Sequence, residues 1–152
     1  MGYRCDVRVA TTVEAYEKIK ELAPKYYADT LRKRKVVDEN AGTITVKDDN
    51  GMQVVYEKNF WLLEHANVYG TTRDDKYIIF GWDDIKWMGY NYDDIRAMEK
   101  AFEDCGAGVH FVAIAEDGAD ENTWYGEEDY DMPFVETLRD WDFDSEWDMK
   151  VI

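Results

Sequence analysis

Serine is almost absent from this chain: Ser145 is the one serine in 152 residues, and it stands in an acidic stretch with nothing like Gly-x-Ser-x-Gly around it. A serine-nucleophile hydrolase is thereby excluded. Glycine-rich loops able to cradle phosphate are missing too. Two cysteines, Cys5 and Cys105, lie a hundred residues apart, a spacing that suggests neither a disulfide framework nor a thiolate metal site. Long apolar runs are lacking: the longest, Tyr77 to Trp82, falls far short of the roughly 20 residues a spanning helix needs. The opening residues are charged and alternating, unlike a signal peptide, and Asp6 breaks the N-myristoylation pattern. The expectation is a cytoplasmic protein with no membrane partner.

Positive charge is also scarce, with 18 Lys and Arg against 34 Asp and Glu, for a formal net charge of −16. Its distribution is uneven. From Glu116 to Ile152 there are 14 acids against Arg139 and Lys150, a local charge of −12, and the other 115 residues contribute −4. Such a field repels nucleic acid and anionic membrane and attracts basic surfaces. Trp124, Tyr125, Tyr130, Phe134, Trp141, Phe143 and Trp147 lie within the acidic stretch, whereas disordered acidic segments are poor in aromatics. The stretch therefore reads as folded, or as folding on a partner.

The length suits one domain, residues 1–152, with 117–152 an acidic, aromatic-rich C-terminal extension of a cooperative core over 3–116. Residues 3 to 10 alternate as a strand. Thr11 and Glu14 then make a capping box for an amphipathic helix carrying Ala15, Ile19, Leu22 and Ala23, with Pro24 near its end. After the basic run Arg32-Lys33-Arg34-Lys35 comes a polar linker through Asn40. Thr43 to Lys47 and Met52 to Lys58 flank Asn50-Gly51, a strong hairpin signal.

Gly70 to Asp75 reads as a loop, and Lys76 to Trp87 as a strand with Ile78, Phe80 and Trp82 on one face, Tyr77 and Ile79 on the other, and a bulge at Gly81. Asn91 is the expected cap of a helix opening on Asp93 and Asp94 and ending before Gly106. Val109 to Glu116 is a strand, with further strands expected at Trp124 to Glu127 and Val135 to Phe143. This order predicts an α+β fold: a ferredoxin-like split βαβ core with an inserted β-hairpin, extra C-terminal strands, and helices on one face of a mostly antiparallel sheet.

Catalytic constellations are few. Cys5 and His110 become neighbours if their strands pair, but a buried thiol beside a strand histidine is more often packing than an activated thiolate. His65 has no ligand partner at helical spacing. The doublets Asp48-Asp49, Asp74-Asp75, Asp83-Asp84 and Asp93-Asp94 supply oxygen donors of the kind Mg²⁺ and Ca²⁺ take, yet each has a local reason: hairpin turn, loop, strand end, helix N-terminus. No cofactor or metal is expected. The basic run, under a net charge of −16, reads as a solvated helix end or as a docking point for the acidic tail rather than as a nucleic-acid patch.

The stretch Tyr77-Ile-Ile-Phe-Gly-Trp-Asp-Asp-Ile-Lys-Trp87, an acid-started helix, and Val109-His-Phe-Val-Ala-Ile-Ala-Glu-Asp-Gly118 together resemble small acidic proteins encoded by phages and prophages of Gram-positive bacteria. The resemblance covers roughly residues 76 to 120 and brings no catalytic residues with it. It implies phage origin and action in the bacterial host cytoplasm, in the company of inhibitors of restriction enzymes and CRISPR nucleases. The N-terminal hairpin and Trp-rich tail depart from that pattern.

If residues 139 to 144 form a strand, Asp140, Asp142 and Asp144 project from one face and Trp141 and Phe143 from the other. Alternate carboxylates then stand about 6.6 Å apart, comparable to successive phosphates of a nucleic-acid strand. A solubilising edge face would show the same alternation. The expected function is non-enzymatic binding of a basic, nucleic-acid-binding host protein through Asp140, Asp142, Asp144, Glu146 and Asp148, held by Trp141, Phe143 and Trp147. A self-associating structural or regulatory phage protein, in which the basic run of one copy meets the acidic tail of another, is the alternative. A carboxylate metal-dependent enzyme is the third.

Overall fold

A computed structural model describes residues 4–87, 92–132 and, as strand pairing alone, 147–150. Among the described residues, nine strands and two helices follow in the order β1 (Cys5–Thr12), α1 (Val13–Arg32), β2 (Lys35–Glu39), β3 (Thr43–Lys47), β4 (Gln53–Glu57), β5 (Val68–Thr72), β6 (Tyr77–Ile85), α2 (Asp93–Asp104), β7 (Val109–Ala115), β8 (Asp120–Tyr125) and β9 (Trp147–Lys150). The class is α+β, as the sequence predicts. Six strands form the main sheet in the order β8-β7-β1-β6-β5-β9, and β2-β3-β4 form a separate small sheet. The described pairings are antiparallel. The inner order β7-β1-β6-β5, with α1 after β1 and α2 after β6, is compatible with the ferredoxin-like split βαβ arrangement.

Alternation builds the main sheet's helix-side face. Val7 and Val9 of β1, Phe80 and Trp82 of β6, and Phe111 and Ala113 of β7 are buried with Ile19 and Ala23 of α1 and Ile95, Met98 and Phe102 of α2 in one cluster. Trp87 joins it, 5.2 Å from Trp82 and 5.3 Å from Phe111 between ring centroids. The small sheet covers the helices from the other side at one end, where Ile44 and Val46 meet Tyr27 and Leu31 of α1 and Ala97 of α2. The helices are thus held between two sheets of unequal size.

The second face of the main sheet is also buried. Ala10, Tyr77, Ile79 and Val112 form a cluster there with Met132, flanked by Ile114 and Trp124. After β8 the chain turns back toward this face: the Tyr77 hydroxyl donates to Asp129 (3.1 Å), and Met132 N–H donates to the Asp129 carbonyl (3.2 Å). β9 pairs with β5, placing Trp147 opposite Thr72 and Asp148 opposite Thr71. The acidic stretch therefore extends the main sheet at both edges, through β8 and β9.

Several local expectations are corrected. Thr12, not Thr11, caps α1 by accepting from Ala15 N–H (3.0 Å), while the Thr11 hydroxyl donates to the Gly108 carbonyl (2.9 Å). Helix α1 continues through Pro24 to Arg32 because the stripe Ala15, Ile19, Ala23, Tyr27, Leu31 stays buried on both sides of it, outweighing the roughly 3 kcal/mol that an interior proline costs. The expected linker after Lys35 is the exposed edge strand β2. Half of the expected loop from Gly70 to Asp75, residues 70 to 72, belongs to β5, a strand held between β6 and β9. The N-cap position of α2 is Tyr92, extended and without a side-chain cap hydrogen bond, rather than the expected Asn91; Asn91 itself and the expected strand over 135–143 lie outside the described residues.

The expected bulge at Gly81 sits further along β6. Val7 faces Trp82 and Cys5 faces Ile85, so the extra residue falls at Asp83-Asp84, where Asp84 takes φ +59°. Gly81 instead marks a close backbone approach, its missing Cβ pointing at the Val7 carbonyl.

Candidate functional site

Asp140, Trp141, Asp142, Phe143, Asp144 and Glu146 lie outside the described residues, and Trp147 and Asp148 stand in the edge strand β9. Acidic groups also converge elsewhere, along the other edge. Glu99 and Glu103 of α2 lie near Glu121 and Tyr125 of β8, with the Tyr125 hydroxyl donating to Glu99 (3.0 Å). Burial holds the Glu99 carboxyl above its usual range, and repulsion from Glu121 and Glu103 adds to this while the Tyr125 bond opposes it. Burial also pushes the Tyr125 phenol up, reinforced by the field of Glu99. Asp104, Asp120, Glu127, Glu128 and Asp131 are also exposed.

The two arginines of the basic run are engaged within the chain, while Lys33 and Lys35 are exposed. Arg32 pairs with Asp29 on α1. Arg34 clamps Asp93 with Nη2 at 2.7 Å from both carboxylate oxygens and Nε at 3.2 Å from Oδ2. Asp93 is buried at the first turn of α2, where the helix dipole favours an anion. The clamp fastens the end of α1 to the start of α2, and the guanidinium lies over the Tyr56 ring at 5.5 Å. Hydrogen bonding to Asp93 raises the Arg34 pKa further.

Beside this clamp opens a cleft of about 580 Å³, lined by Tyr27 and Arg34, by Val54 to Glu57 of β4, by Lys86, and by Tyr92, Asp93 and Asp94. Tyr27 donates its hydroxyl to the Glu57 carbonyl (2.7 Å), and burial pushes its pKa up to about 12. Asp94 accepts from Ile95 N–H (2.8 Å), and burial raises its carboxyl above the usual range. Sequence reasoning missed this cleft because it joins three distant segments. Asp93 was visible only as a helix start and Arg34 only as part of a charge run.

Cys5 and His110 do not meet. β1 and β7 do pair, but Cys5 faces Ala115 and Ala10 faces His110, five positions along the ladder and on the opposite face. His110 is fully buried, its ring stacked on Trp124 at 4.6 Å and its Nε2 donating to Asn122 Oδ1 at 2.7 Å. Burial holds its pKa below the ordinary imidazole value, against the smaller opposing effects of Asn122 and Glu128. The folded state thus disfavours the proton, so this contribution is complete above about pH 6.5 and is lost as pH falls toward the depressed folded value. Urea midpoints at pH 7.5 and 5.5 should drop more for wild type than for His110→Phe, which keeps the stack on Trp124. Equal drops would show that His110 does not report on acidification.

The acid doublets have structural partners, local for Asp48 and Asp74 and distant in sequence for Asp83 and Asp93. Asp48 accepts from Asn50 and Met52 N–H in the hairpin turn (2.9 Å each), Asp74 from the Thr72 hydroxyl (2.6 Å), Asp83 from Arg8 (2.7 Å), and Asp93 from Arg34. Among the described residues, no group of three or more His, Cys, Asp or Glu is arranged to hold a metal ion, and no helix is long and apolar enough to cross a membrane. No protein family, no curated protein and no solved structure matches this chain.

Proposed function

We propose that this is a non-enzymatic acidic protein of phage origin that binds and inhibits a basic, nucleic-acid-binding host protein, such as a nuclease of a restriction or CRISPR defence system. One observation carries the reading. Both arginines of the chain's one basic run are tied to carboxylates of the same chain, Arg32 to Asp29 and Arg34 to Asp93, while Glu103, Asp104, Asp120, Glu127, Glu128 and Asp131 face solvent. With only Lys33 and Lys35 of that run exposed and unpaired among the described residues, a surface of this kind opposes a phosphate backbone and competes with one for a basic groove.

The acids of the C-terminal stretch, Asp140, Asp142, Asp144, Glu146 and Asp148, are assigned the centre of the contact because they form the densest acid alternation in the sequence. Capture from host lysate on immobilised protein should retain basic nucleic-acid-binding proteins at 0.1 M salt and release them at 1 M, as the Debye length falls from about 10 Å to about 3 Å. Duplex DNA should compete with the retained protein. Replacing the five acids by Asn or Gln should weaken its binding at low salt by at least tenfold. Retention that ignores salt and DNA would overturn the proposal, and equal binding of the five-fold variant would overturn this choice of surface.

A further inference from the structure

We propose that the free edge of β4 is a docking site for an extended, cationic segment of a partner protein, which adds to the small sheet as a fourth strand. The hydrogen-bond pattern fixes which backbone groups are available. Asp48 N–H donates to the Met52 carbonyl (2.8 Å) and Lys58 N–H to the Gly42 carbonyl (3.0 Å), with Val46 opposite Val54 and Ile44 opposite Tyr56. Residues 52, 54, 56 and 58 therefore turn their backbone groups toward β3, and Gln53, Val55 and Glu57 turn theirs outward. The Glu57 carbonyl is taken by the Tyr27 hydroxyl. Among the described residues, the outward amides of Gln53, Val55 and Glu57 and the carbonyls of Gln53 and Val55 have no partner and are open to an incoming strand.

The cleft runs along this edge. It is lined by four consecutive residues, Val54 to Glu57. Consecutive strand side chains point to opposite faces, so a cavity touching all four follows the strand's edge rather than one face. At about 580 Å³ it falls in the range of about 300–1,000 Å³ typical of binding clefts. Val55, 63% exposed, offers an apolar contact at its centre.

The two edges of the small sheet differ in how they are guarded. β2 carries Lys35, Asp38 and Glu39 and an irregular register between Val36 and Asp38, the usual devices against strand addition. β4 reads Gln-Val-Val-Tyr-Glu in unbroken register, without lysine, proline or bulge.

Charge selects the occupant. Arg34 is neutralised by Asp93, which leaves Asp94 and Glu57 as carboxylates against Lys86. The whole chain carries −16, which opposes a second copy at this edge and favours a basic strand. This proposal rests on the basic-partner reading and adds to it a place and a binding mode, β-augmentation.

The test uses the full-length protein and the capped peptide acetyl-Val-Lys-Val-Arg-Val-Lys-Val-amide, followed by ¹H–¹⁵N NMR at 0.1 M salt. The amides of Gln53, Val55 and Glu57 should shift and gain protection from solvent exchange. Val55→Pro removes an N–H that serves no bond within the sheet, so the variant should fold and bind the peptide at least tenfold more weakly. A peptide N-methylated on alternate residues should lose binding to wild-type protein by a similar factor, which removes any dependence on how the proline variant folds.

Peptide shifts confined to β8 and α2 would overturn the β4 site while leaving the basic-partner reading in place. Equal binding at β4 by a peptide with Glu at the three basic positions would overturn the cationic assignment. Absence of binding by the cationic peptide would overturn the site, with the lysate capture deciding the basic-partner reading separately.

Discussion

Gly81→Ala is expected to destabilise the fold by about 3 kcal/mol or more, at or beyond the upper end of what overpacking usually costs. A Cβ built on Gly81 would stand 1.9 Å from the Val7 carbonyl oxygen and 2.9 Å from its carbon. Both obstacles are backbone, so no side chain can swing away. The neighbouring strand is β1, which lies between β6 and β7 near the middle of the main sheet, with Val7 and Val9 fully buried beneath the helices. Relief requires parting β1 from β6, and that would disturb the Arg8 guanidinium, which donates to Asp83 (2.7 Å) and to the Trp82 carbonyl (3.3 Å). Gly42→Ala is the control, because nothing lies within 4 Å of its Cβ position and such surface changes usually stay within about 0.5 kcal/mol. Urea denaturation of both variants checks the difference. Similar midpoints would mean that β1 and β6 yield more easily than two central strands should.

How much of this was legible follows from where the information resides. Alternation placed Cys5, Val7 and Val9 on one buried face and separated Phe80 and Trp82 from Tyr77 and Ile79, because a two-residue period is a local property. The Asn50-Gly51 turn fixed the β3–β4 hairpin for the same reason, and the α+β class followed from the order of elements. β5 escaped notice because Gly70 interrupts it and Arg73-Asp74-Asp75 follow at once, so the strand-forming Thr71 and Thr72 read as part of a loop, and pairing to β6 and β9 makes them strand. β2 escaped because its five residues are all exposed and three of them, Lys35, Asp38 and Glu39, are charged. The cleft beside β4 has no local signature at all. It exists because Arg34 reaches Asp93, 59 positions away in the chain.

Removing residues 128–152 is expected to leave a protein weakened by about 3–5 kcal/mol, a large part of the roughly 5–15 kcal/mol that holds a typical domain together. Sequence alone suggested that this stretch is an extension whose loss the core would tolerate. The structure places Met132 against Ala10, Tyr77, Ile79 and Val112, all at most 4% exposed, and β9 against β5. Truncation strips Met132 from that cluster, leaves the Tyr77 hydroxyl without Asp129, and makes β5 an unpaired edge.

An opposing effect is real but smaller. The deletion lowers the net charge from −16 to −9, which relieves self-repulsion. Comparison at 0.5 M salt screens that term and isolates the packing loss. Met132→Ala in the full-length chain should reproduce about 2–4 kcal/mol of it, within the range for a buried methionine. Dye binding to the truncated protein should report the newly exposed second face. An unchanged urea midpoint on truncation, with no dye signal, would show that the acidic stretch is an appendage after all, free to serve a partner without serving the fold.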